Sequence, residues 1–179
     1  MLITFVAALF IPLQWTIFLG AGLSLIVYIG TSYRAGEVTE LVRGDDGYWS
    51  ERSVPLELTS NGVTVIGLRD FRFFADVPRL AERLPQPGDA TGAVVVVRTR
   101  DIPSVADTGL RVLEHYRKLL ADSGNTLVLA GVRPQVADTL ERTGIASRIG
   151  HEHIFAATPE ITRALDDALV HATAIAENR

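Results

Sequence analysis

The sequence predicts an α/β fold, a sheet with helices packed on it, preceded by an N-terminal transmembrane helix. Three observations carry this expectation. Residues 1–33 contain no charged side chain and are mostly apolar. Four consecutive valines, Val94 to Val97, mark a strand covered on both faces. From residue 56 onward, strand-like runs alternate with runs at helical spacing, in the order ββαβαβαβα.

Leu2 to Ile29 as one helix would reach about 42 Å, against a hydrocarbon core of about 30 Å. Pro12 removes the excess, because proline lacks an N–H and disfavours helix in the residue before it. Leu2–Phe10 is read as the tail of one membrane helix and Leu13–Ile29 as a complete one, giving a transmembrane segment over 1–30. Gly20, Gly22 and Ser24 would let a neighbouring helix approach closely. No basic residue precedes the run, so it does not read as a signal peptide. Arg34 and Arg43 follow it, which places the C-terminal domain in the cytoplasm and the chain in the inner (plasma) membrane.

Residues 31–55 read as a juxtamembrane linker, with Gly36, Gly44, Asp45, Asp46, Gly47 and Pro55 supplying turn chemistry. A domain over 56–179 follows. Leu56–Thr59 and Val63–Leu68 predict a β-hairpin around Asn61-Gly62. Phe74–Leu84 has helical spacing, and Gly92–Val97 is the central strand. The next helix runs from about Ala106 to Ser123, with Gly124 at its C-cap. Strand Thr126–Ala130, a helix from Pro134 to about Thr143 and a short strand Ile154–Ala156 come next. Thr158 and Pro159 are read as N-cap and first-turn proline of the last helix, whose stripe is Ile161, Leu165, Ala168, Leu169, Ala172 and Ile175.

The net charge of -4 and the lack of a basic stripe argue against nucleic acid. The absence of cysteine excludes disulfides, thiol catalysis and cysteine-ligated zinc. His151-Glu152-His153 offers two ligands without a third nearby, and reads as a surface loop rather than a metal site. His115 has no nucleophile beside it in sequence, and Asp45 and Asp46 are turn residues. No residue pattern points to an enzyme. The turn from Thr99 to Gly109 follows the central strand, the usual ligand position in open α/β sheets. There Ser104 or Asp107 caps the helix; the other reading is an anion held by its first N–H groups. Arg69, Phe71, Arg72, Phe73 and Phe74 are either core phenylalanines flanked by solvated arginines or a docking surface.

The residues also carry a family likeness. Leu2–Leu9, Pro12–Trp15 and Gly20–Ser24 resemble the closing membrane region of SulP-type anion transporters. Asp46–Glu51, Phe73-Phe74-Ala75, Leu129–Val132, Glu141–Ile145 and Ile154–Pro159 resemble pieces of the STAS domain that follows it. The likeness implies the last transmembrane helix plus the STAS domain of a sulfate- or bicarbonate-type carrier, acting as a regulatory and dimerising module. Its partners would be the membrane, the rest of the carrier's transmembrane domain and a second copy. The transport path itself is absent from this chain. The alternative is a stand-alone membrane-anchored STAS regulator of the anti-sigma-factor-antagonist type.

Related STAS regulators are phosphorylated on a serine in an Asp-Ser-Ser-Gly-like turn, and Thr108 of Asp107-Thr108-Gly109 falls on that position. The acid is adjacent here rather than two residues before, a departure from the pattern. No cofactor is expected. The family implies at most a weak guanine-nucleotide site built from Ser104, Asp107, Thr108, Gly109, Gly131 and Arg133, without a Walker or dinucleotide-type phosphate loop.

Overall fold

The computed structural model describes residues 13–32, 37–69, 80, 82–102 and 107–178. The chain separates into two compact units, Met1–Ala35 and Gly36–Arg179.

The first unit contains α1 (Leu13–Ser32), a helix of 20 residues. Among the described residues no helix is long and apolar enough to cross a membrane. This overturns the transmembrane helix expected over 13–30. With it go the carrier's closing membrane helix, the membrane-anchored alternative and placement in the inner membrane by such an anchor. The physical reason lies in what the sequence signal measured. A stretch without charge is not the same as an unbroken apolar run. Gln14, Thr16, Gly20, Gly22 and Ser24 divide the apolar residues of α1 into short runs, and Gly30-Thr31-Ser32 closes it. The expected segment 2–10 lies outside the described residues.

The second unit is a six-stranded sheet: β1 (Glu37–Arg43), β2 (Trp49–Ser53), β3 (Val63–Arg69), β4 (Val94–Arg98), β5 (Thr126–Val132) and β6 (Ile154–Ala156). Their order across the sheet is β2-β1-β3-β4-β5-β6. β1 pairs antiparallel with both β2 and β3, whereas β3 through β6 run parallel. Among the described residues the named helices of this unit are α2 (Asp107–Asp122), α3 (Pro134–Arg142), α4 (Ile145–Ile149) and α5 (Arg163–Glu177).

Strand alternation feeds two cores. Ile66, Val95, Val97, Leu127 and Leu129 face the side covered by α2 and α3, where they meet Tyr116, Leu120, Val136 and Leu140. Val65, Val94, Val96, Val128 and Ala130 face the other side, where α5 lays down Leu165, Ala168, Ala172 and Ala176. The four-valine strand is therefore covered on both faces. Alanine at three of the four α5 positions lets the helix backbone approach the valine surface closely.

Three details differ from expectation. Two strands, β1 and β2, occupy 37–53 where linker was read. Their residues are largely polar, and their cross-strand pair is ionic: Glu40, buried, accepts two bonds from Arg52, at 2.8 and 2.9 Å. The hairpin over 56–68 does not form. Asn61 does adopt a positive φ of 55°, but the backbone of Leu56–Leu58 bonds Gln86 instead of β3, and Leu56 is 89% exposed. The last helix starts at Arg163 with Thr162 at its N-cap, not at Pro159. Thr158 is engaged elsewhere: its Oγ1 donates to the Glu160 carbonyl at 2.9 Å, and its carbonyl accepts from Arg100 at 2.7 Å. The predicted helix 74–84 is described only at its end, where Leu80 and Leu84 are buried.

Two buried polar groups organise the first core. Tyr116 Oη donates to the Pro85 carbonyl at 2.8 Å, and burial pushes the phenol above its ordinary range. Asn125, ahead of β5, accepts from the Ala93 N–H and donates to the Ala90 carbonyl, both at 2.8 Å.

Candidate functional site

The carboxyl ends of the parallel strands meet the loops that sequence reasoning selected. After β4, Thr99 is buried, and both its N–H (2.8 Å) and its Oγ1 (3.2 Å) donate to the Ala130 carbonyl on β5. Gly131 takes a left-handed φ of 75°, and a Cβ there would lie 3.0 Å from the Cβ of Arg100. Arg133, the N-cap of α3, donates from Nε to the Arg100 carbonyl at 2.8 Å. Arg100 in turn reaches the carbonyls of Thr158 at 2.7 Å and Glu160 at 3.5 Å.

This chain of contacts ties the ends of β4, β5 and β6 together through backbone acceptors. Both arginines thus have a structural task at the strand ends, bonding backbone carbonyls. Arg100 was not singled out from the sequence. Its acceptors lie 58 and 60 residues away, a relation that no local pattern displays.

A side chain at Gly131 would combine a left-handed backbone with this close approach to Arg100. Gly131→Ala should lower stability by about 1–2 kcal/mol, the usual penalty of a left-handed non-glycine residue, read as a shift in the urea midpoint with unchanged m. An unaltered midpoint would show that the loop relaxes around the new methyl.

Of the other predicted site residues, Ser104 lies outside the described residues. Asp107 and Thr108 open α2, and nothing is described of their side chains. Gly109 is buried and lines, with Thr99, Val97 and Val136, an apolar cavity of about 40 Å³ beneath α2. The structure therefore brings Gly131, Arg133 and Thr99 together at the strand ends, with Gly109 on the core side of the same region. Arg69 ends β3 with its side chain undescribed, and Phe71, Arg72, Phe73 and Phe74 lie outside the described residues.

His153 and His171 are partly buried, whereas His151 and His115 stay exposed. His153 Nδ1 and His171 Nε2 are 2.9 Å apart, joining the turn before β6 to α5, and His151 lies 3.3 Å from Glu141. Among the described residues no group of three His, Cys, Asp or Glu could hold a metal ion.

The outer side of α2 carries a second polar constellation. Glu114 accepts from Arg117 at 3.0 and 3.1 Å, and lies 2.9 Å from Arg148 Nε on α4. Partial burial pushes its carboxyl up. The bonds and charges of Arg117 and Arg148 outweigh that, and hold it below the usual carboxylate range.

The STAS domain family model matches residues 58–161. The chain belongs to the STAS domain family. STAS domains are regulatory, non-catalytic modules, which fits strand-end arginines directed to backbone rather than to a reacting centre.

Solved structures extend the comparison. A sulfate transporter family protein from Wolinella succinogenes is similar over 75% of this chain and 97% of its own, with 23% identity and a TM-score of 0.52. The murine Solute Carrier 26 family member A9 anion transporter, in its inward-facing state, is similar over 97% of this chain, with 16% identity and a TM-score of 0.59. A further SLC26A9 structure matches over 99% of this chain, with 14% identity and a TM-score of 0.66. This STAS chain spans only 28% and 30% of those two transporter chains. At such identities the likeness is one of fold. No curated protein sequence matches the chain at a significant level.

Proposed function

We propose that this STAS domain is a regulatory module for an anion carrier of the SulP type, acting by protein contact on a larger membrane-embedded body. The observation that carries the reading is the STAS match over 58–161. It is supported by structural neighbours described as a sulfate transporter family protein and as an anion transporter. In this reading Thr108, in the first turn of α2, is the modification point. A phosphate there would add negative charge beside the N–H groups that begin the helix.

The test is co-expression of the full chain with a SulP-type carrier body stripped of its own STAS domain. Co-purification and a changed rate of labelled sulfate or bicarbonate uptake are expected. Unchanged uptake together with no co-purification would reject the carrier reading. For the modification, mass spectrometry of the chain isolated from cells should find phosphate on Thr108; its absence under all growth conditions would remove that part alone.

A further inference from the structure

A groove of about 440 Å³ runs between α2 and the α3–α4 corner, on the sheet face opposite α5. Its floor is apolar: Leu110 and Ile145, both buried. Its rim is basic. Arg111, His115 and Lys118 stand exposed at i, i+4 and i+7 on one stripe of α2, and exposed Arg148 faces them from α4. Among the described residues the acid lining this groove is Glu114, and it is already matched by both Arg117 and Arg148. The patch is therefore cationic on a chain whose net charge is -4.

We infer that this groove is a docking surface for an acidic amphipathic helix of a partner protein. An apolar floor inside a charged rim is the arrangement of a protein interface, in which the floor takes an apolar anchor and the rim selects the partner's charge. A small oxyanion fits less well. The groove is open, and its cations sit on the exposed rim, where water competes for any small ion. The inference stands independently of the carrier reading, because it rests on the shape and charge of this face.

The probe is a short labelled peptide helix with leucine on one face and glutamate on the other. It is titrated into the full chain by fluorescence anisotropy, beside a counterpart with every glutamate replaced by glutamine. The glutamate peptide should bind at least tenfold more tightly than the glutamine one. Arg111→Glu combined with Lys118→Glu should weaken binding at least tenfold. Arg163→Glu, on the opposite face, should leave it unchanged. Melting curves of each variant separate lost binding from lost folding; if the double variant melts early, Lys118→Gln alone provides the same comparison. Equal affinity for the two peptides, wild-type affinity in a folded groove variant, or full competition by inorganic phosphate would each overturn the inference.

Discussion

Asn125→Ala is expected to destabilise the domain by about 3 kcal/mol, because it strands two buried backbone groups at once, each worth roughly 1–3 kcal/mol when left unsatisfied. Asn125 is 5% exposed, and its amide serves the Ala93 N–H and the Ala90 carbonyl. It thereby fixes where β4 begins relative to β5. Chemical denaturation gives the loss directly. Asn125→Asp should recover only the acceptor half, since a carboxylate has no N–H to offer Ala90. If alanine at this position left the denaturation midpoint within experimental error, water would have to be satisfying both groups, and the amide would not be the organising element described above.

Ala168→Leu is expected to destabilise by roughly 3 kcal/mol, at the upper end of overpacking effects. Ala168 is fully buried against the valine face, and the neighbouring α5 contacts at Ala172 and Ala176 are equally small. A larger side chain must lift the helix or distort the sheet, so the damage extends beyond its own volume. Val170→Leu, on the exposed side of α5, is the control and should be neutral. A neutral Ala168→Leu would mean that α5 sits loosely on the sheet, and the two-sided core would have to be redrawn.

How far the sequence could be read varied with the physics of each element. The central strand was legible because burial on both faces leaves an uninterrupted β-branched run. The helix over Asp107–Asp122 was legible because one face is buried and the other solvated, which imposes a period. β1 and β2 were not, because Glu37, Glu40, Glu51 and Arg52 make them resemble a charged linker. Their pairing rests on Glu40–Arg52 and on partners in other strands. The start of α5 was misplaced because Thr158-Pro159 has the local chemistry of a helix start, while Arg100 captures Thr158 from another loop.

The N-terminal segment was misjudged for a different reason. Freedom from charge signals burial somewhere, but it does not measure the length of an apolar run. At the candidate site, Gly131 and Arg133 entered through the family resemblance and not through a pattern of their own. Their partner Arg100 was invisible, because long-range bonds to backbone carbonyls leave no pattern in the side chains around them.

The order of the chain gives the roof over the valine face a temporal meaning. Among the described residues all six strands precede α5 in sequence, and α5 is the helix that contributes the alanine row on that side. A polypeptide emerging from the ribosome would thus complete its parallel ladder while Val65, Val94, Val96 and Val128 were still bare. Until the last turns of α5 cleared the exit tunnel, that wall would be a sticky plane available to chaperones or to neighbouring nascent chains.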